Sequence, residues 1–338
     1  MTEILENPEF CNTAVVVNEF GEVGLDGVLI EHTQDQIVEM TSGCLCCTIR
    51  GDIRQTLVDL HGKYVRDQIP KFNRVIVEST GLADPAPVVQ TLMSDSLLRN
   101  RYMLGGVIAT IDALHGAATI KNYKECEKQA AVADRLIITK SDLINDGVMR
   151  KTLNKLESKL FSLNPTAIVL DRHREDFEFG RLFDTSLYDP NTKSMDVRKW
   201  LNAEANTIDH NHSHGDFHSS NDDHHHDITR HGSDIRSFTL TFEDPITIET
   251  LASSLEALLL TQGANILRVK GIVNTVDRPE HPLVVHGVQH VFHDPVWLDE
   301  WPNESRQTQL VFITFGVTRE SLDLFFKSWM STSNGIWR

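Results

Sequence analysis

The sequence predicts an α/β protein: a parallel-sheet domain followed by a smaller α+β domain. Three observations carry this reading. Short apolar, β-branched runs alternate with amphipathic helical stretches through the first half, as strands buried on both faces and joined by right-handed crossovers would. A low-complexity tract rich in His and Asp, residues 209–231, contains almost nothing able to form a core. Beyond the tract, strand and helix patterns return. A chain of 338 residues is long enough for two domains, which commonly span about 100–200 residues each. The expected units are 1–200, a linker at 201–234, and 235–338.

In order along the chain, the expected strands are Ala14–Val17, Arg74–Val77, Gly106–Thr110, Leu136–Thr139 and Ala167–Leu170. Between them, Ile53, Leu57, Leu60 and Tyr64 recur at helical spacing, as do Met149, Leu153, Leu156, Leu160 and Leu163. After the tract, Ser237–Phe242 alternates like a strand, and Leu251, Leu255, Leu258 and Leu259 form a helical stripe. Leu267–Val273, Pro282–His286 and Gln309–Phe315 read as strands, and Leu322, Phe325, Phe326 and Trp329 close the chain as a helix.

The net charge of −16 argues against nucleic acid or an anionic membrane as partners, because both demand a basic face. No stretch approaches the ~20 apolar residues of a membrane span. The first residues lack the basic flank and apolar core of a signal peptide. Five cysteines, three of them within four positions, fit an intracellular thiol site rather than a disulfide framework. A cytoplasmic location is expected.

The sharpest chemical signal is Gly43-Cys44-Leu45-Cys46-Cys47-Thr48. Three thiolates this close can converge on one borderline or soft ion, and Gly43 permits the tight turn. They leave a tetrahedral metal one ligand short, which suits a site that hands its ion on. Gly51 and Asp52 offer a start for the helix that follows. The plain alternatives are three buried thiols or a redox pair; Cys11 and Cys126 read as ordinary thiols.

Two further motifs follow apolar strands. Glu78-Ser79-Thr80-Gly81 places an acid where it can hold a magnesium-bound water, and its glycine lets backbone approach a γ-phosphate. The plain alternative for this motif is a solvated strand end. Thr139-Lys140-Ser141-Asp142 has the spacing of a guanine-reading Asn-Lys-x-Asp, although Lys-x-Asp after a strand is common by itself.

With the segment Asn18-Glu19-Phe20-Gly21-Glu22-Val23-Gly24-Leu25-Asp26-Gly27, these motifs resemble the CobW family of P-loop GTPases over nearly the whole chain. The resemblance implies a P-loop GTPase-like parallel-sheet domain and the family's C-terminal α+β domain. It implies a metallochaperone that binds zinc, or alternatively cobalt, and passes it to a client metalloprotein under control of GTP and magnesium. By resemblance Cys44, Cys46 and Cys47 are the metal ligands, and Glu78 is the acid of the magnesium strand and catalytic residue. Lys140 and Asp142 read guanine with Thr139 in place of asparagine, Gly81 faces phosphate, and Glu19, Glu22 and Asp26 lie in a switch-like segment. The implied reaction is GTP hydrolysis to GDP and phosphate.

The sequence departs from the family at one point. No Gly-x-x-x-x-Gly-Lys-[Ser/Thr] loop occurs in the 338 residues, so the first strand and the main phosphate grip are missing. The persistence of the downstream motifs favours a chain truncated at its N-terminus. The alternative is a sequestration protein that binds metal without nucleotide. A thiol redox protein is the third reading.

Eight of the sixteen histidines lie between His210 and His231, interleaved with aspartates. They suggest a metal capture arm, against a plain solvated linker. His281, His286, His290 and His293 read as ordinary surface or core residues.

Overall fold

Among the described residues, β-branched runs build two parallel sheets in the N-terminal half, and strands buried on both faces at their centre build an antiparallel sheet in the C-terminal half. The computed structural model describes residues 2–18, 37–40, 48–81, 83–183, 234–302 and 304–333. The cysteine motif at 44–47, Glu19, Glu22 and Asp26, and the His-rich tract lie outside the described residues.

The first sheet has the order β2-β1-β3, from β1 (Thr13–Asn18), β2 (Ile37–Met40) and β3 (Arg74–Ser79), all parallel. A short helix α1 (Thr2–Glu6) precedes it. Helix α2 (Thr48–Val65) covers one face, with Ile53, Leu57 and Leu60 packed on Ala14 and Val16. Burying each such Leu or Ile contributes about 1.5–3 kcal/mol. The helix starts at Thr48, so Gly51 and Asp52 lie within its first turns rather than opening it. Helices α3 (Ala86–Ser94) and α4 (Ser96–Arg99) follow. Asp95 caps α4 by accepting from the amides of Leu97 and Leu98, and pairs with Arg54 of α2 at 2.6 Å.

The second sheet has the order β4-β5-β6, from β4 (Ile108–Asp112), β5 (Arg135–Thr139) and β6 (Ile168–Asp171), again parallel. Its crossovers are α5 (Gly116–Asn122) with α6 (Lys124–Val132), then α7 (Gly147–Leu163). Leu153, Leu156, Leu160 and Leu163 are buried as the sequence pattern requires, but Met149 is exposed. Asp146 caps α7 through the amides of Val148 and Met149, which leaves that first turn projecting into solvent. Helix α8 (Gly180–Phe183) packs Leu182 on Ile137 and Leu170.

Burial on both faces, expected of most of these strands, holds for the central ones. Val15 and Val16 of β1 and Leu136 and Ile138 of β5 are wholly buried, whereas Ile108 of β4 is 37% exposed and β3 is half-buried. The reason is pairing: among the described residues β3 pairs only with β1 and β4 only with β5, so each keeps an open edge.

The C-terminal sheet comprises β7 (Ile235–Phe242), β8 (Ile266–Val273), β9 (Leu283–Val288), β10 (Val291–Phe292), β11 (Val296–Trp297) and β12 (Thr308–Phe315). Its order is β10-β9-β8-β12-β7, with β11 also on β9. Helices α9 (Ile248–Gln262) and α10 (Arg319–Ser333) cover one face, where Leu251, Leu255, Leu258, Leu322 and Phe326 meet Val269, Val285, Leu310 and Phe312. On the other side Ile235, Leu267, Val288 and Ile313 join Ala130, Ala131, Leu156 and Leu160 in one core spanning both domains.

A buried polar cluster lies in that junction. Arg268 donates to the carbonyl of Val132 and to Asp134, and its Nη2 lies 3.0 Å from Nε2 of His286. Lys270, opposite His286 across the β8–β9 ladder, reaches Asp134 Oδ1 and the carbonyl of Thr166, each at 3.4 Å. Asp134 Oδ2 accepts from the amide of Val107 at 2.9 Å. Burial alone would raise Asp134, but the charges of Arg268 and Lys270 outweigh it and hold the carboxyl well below its usual range. Burial, then Arg268, pushes Lys270 down to about 7 and His286 well below its ordinary value. With Arg268 donating to Nε2, His286 is the neutral Nδ1–H tautomer.

Candidate functional site at the strand ends

In parallel sheets, loops at the carboxyl ends of the strands are where ligands bind. In the first sheet these ends are level: Asn18 is in register with both Met40 and Ser79. Glu19 follows β1 in sequence and the cysteine motif follows β2, both outside the described residues. Glu78 is exposed at this end of the sheet, in register with Val17.

The loop after β3 is fixed from α6. Gln129 Nε2 donates to the carbonyls of Ala83 (2.8 Å), Gly81 (3.1 Å) and Thr80 (3.5 Å), and Lys128 pairs with Asp84 at 3.5 Å. Asp84 in turn accepts from the amide of Ala86 and opens α3. Cys126 sits beside Gly81, and burial pushes its thiol up, as for an ordinary thiol. Three features fit a magnesium-bound nucleoside phosphate: the exposed Glu78 carboxylate, the open space beside Gly81, and the Thr80 hydroxyl, buried without a hydrogen-bond partner among the described residues. Also among the described residues, no group of three or more His, Cys, Asp or Glu is placed to hold a metal.

The second sheet's ends bring together Thr139, Lys140 and Asp142 with residues the sequence reading missed. Lys140, in the left-handed region at φ 60°, pairs with Asp112 at 2.7 Å. Asp112 also accepts from the amides of Leu114 and His115. Burial would raise its carboxyl, but the hydrogen bonds from Lys140 and those amides bring it below its ordinary value. Thr139 Oγ1 donates to the carbonyl of Ile111 at 3.3 Å. Ser141 donates to the buried Asp171. Asp142 lies 2.9 Å from Nε2 of His173. A polar chain therefore crosses the ends of β4, β5 and β6. The missed residues had a signal: Ile-Ala-Thr-Ile-Asp112 and Ile-Val-Leu-Asp171 each end an apolar run on an acid, as Ile-Val-Glu78 does.

This arrangement defines a class: an α/β protein of the nucleotide-binding type, with polar strand ends, joined to an antiparallel domain. Residues 1–171 match the family described as CobW/HypB/UreG, nucleotide-binding domain, and residues 235–329 match the cobalamin synthesis protein cobW C-terminal domain. The chain belongs to the CobW/HypB/UreG family. It is 30% identical to the zinc chaperone YjiA of Escherichia coli, covering 96% of this chain and 92% of that one. It is 28% identical to the zinc chaperone CobW of Pseudomonas aeruginosa (93% and 82%). A zinc-regulated GTPase metalloprotein activator of Schizosaccharomyces pombe is 28% identical over 55% of this chain and 44% of its own. The crystal structure of Zn(II)-bound YjiA GTPase superposes with a TM-score of 0.65 at 25% identity, over 97% of this chain and 92% of that one.

Proposed function

We propose that the chain is a GTP-dependent metallochaperone that binds zinc at Cys44, Cys46 and Cys47 and delivers it to a client metalloprotein. The observation that supports the reading is the level ending of β1, β2 and β3, with the exposed Glu78 at that end of the sheet; Glu19 follows β1 and the cysteine motif follows β2 in sequence. Relatives named as zinc chaperones and as zinc-regulated GTPase activators support it.

In this reading Glu78 orients a magnesium-bound water, and the backbone at Gly81 takes the outer phosphate. Magnesium, when bound, neutralises charge on the phosphates. Lys140 covers the base and Asp142 accepts from its edge. Three thiolates without a fourth protein ligand hold zinc in an exchangeable geometry, and their deprotonation makes loading release protons. Cobalt shares these ligand preferences.

Zinc titration of the reduced protein tests the ligand set. Replacing Cys44, Cys46 and Cys47 together with serine is expected to abolish the tight site; a variant that kept full affinity would sink the assignment. A second reading, metal binding without nucleotide, differs in one measurable respect: no nucleotide would change its zinc affinity.

A further inference from the structure

We propose that His173 is a positioning residue for base recognition, holding the Asp142 carboxylate in the orientation that a guanine edge requires. The inference rests on the reading of Asp142 as the guanine acceptor and deepens it.

An aspartate that reads guanine must present both oxygens side-on to two adjacent N–H groups. Asp142 stands on a short turn, with its side chain 49% exposed. Ordering such an exposed side chain on binding would cost affinity. His173 removes that cost. Its Nε2 lies 2.9 Å from Asp142 Oδ1, within reach of an ion pair when the imidazole is protonated, and an ionised carboxylate keeps further lone pairs on both oxygens for a ligand. The imidazole is itself 41% exposed, so the pair stays accessible.

The histidine can act as a fixed point because its loop is anchored on both sides. Its own amide donates to Asp171 at 3.0 Å, the same carboxylate that holds Ser141. Arg172 pairs with Glu3 at 2.9 Å and lies over the rings of Phe177 and Phe179. Arg174 pairs with Glu157 of α7 at 2.8 Å. The imidazole beside Asp142 is thereby tied to β6, to α7 and to the N-terminal helix.

The test is binding of fluorescent GDP, competed by IDP, XDP and ADP in the presence of magnesium, for the full chain. Asp142→Asn, His173→Ala and His173→Gln are compared with the unaltered protein. His173→Ala is expected to weaken GDP about three- to tenfold, the ordering cost of one side chain. ADP should be unaffected and the GDP preference over IDP should shrink. Glutamine, which can donate from a similar position, should restore most of the preference. Unchanged GDP binding in His173→Ala, or equal losses for GDP and ADP, would overturn the proposal. Asp142→Asn separates the two ideas. If it shifts preference toward XDP while His173→Ala changes nothing, only the positioning role fails. If it changes nothing, or the unaltered chain binds no guanine nucleotide, the guanine reading fails and the proposal with it.

Discussion

Strand β5 is bracketed by two aspartates in opposite surroundings. Asp134, just before it, is 1% exposed and held by Arg268 and Lys270 from the other domain. Asp142, just beyond it, is half exposed beside His173. Charges taken out of water must be fully paired to be tolerated, so the buried end is locked and its disruption costly. Charges left in water contribute little to stability and remain free to meet a ligand. One strand, buried over its first four residues, thus joins a structural junction to an exposed polar edge.

The largest effect expected from this contrast is at the junction. Arg268→Met leaves Asp134 without its main partner and should lower unfolding free energy by about 3–5 kcal/mol, read by urea denaturation. Adding Asp134→Leu and Lys270→Met should recover much of the loss. A single variant as stable as the parent would remove the junction from the account.

A pH series is expected to show a smaller, graded effect. Lys270 and His286 have folded values below their ordinary 10.5 and 6.5, so the unfolded chain binds their protons more readily. The cost of holding Lys270 in the fold is therefore complete below about 7 and relieved as pH rises toward 10.5. For His286 it sets in as pH falls below 6.5. Asp134, lowered from 3.8, contributes stability that is lost only in stronger acid. All three make stability rise with pH. His286→Gln should flatten the slope between pH 5 and 7 by up to about 1.4 kcal/mol per pH unit. An unchanged slope would show that His286 carries no such linkage.

The smallest stability effect belongs to the exposed end. Asp112→Asn removes the charge facing Lys140 but keeps an oxygen for the two amides, and should change stability by no more than about 1 kcal/mol. A larger loss would make this edge a structural lock as well.

Much of the architecture was legible in the sequence because burial follows periodicity. The stripes Leu153–Leu156–Leu160 and Leu251–Leu255–Leu258 and the apolar runs around Val15 and Ile137 mark their elements directly. β2 was missed because four residues are too few to show a period. The half-exposure of β3 and β4 depends on which edges pair, and local patterning does not record that. The junction was invisible for a related reason. In Ile-Leu-Arg-Val-Lys-Gly-Ile-Val, Arg268 and Lys270 alternate as solvent-facing residues would, and the Asp134 that neutralises them is 134 positions away from Arg268. At the site, Glu78, Lys140 and Asp142 were found through motif spacing. Asp112 and His173 came to light only as their partners in space.

The central claim is that nucleotide and zinc are coupled, and one measurement addresses it directly. Zinc affinity of the reduced chain is determined by competition with a chromophoric chelator, with GDP, with a non-hydrolysable GTP analogue, and with neither. Affinities in the two nucleotide states are expected to differ about fivefold or more, the low end of ordinary coupling between sites. Equal affinities under all three conditions would contradict it and leave nucleotide-independent metal binding in its place.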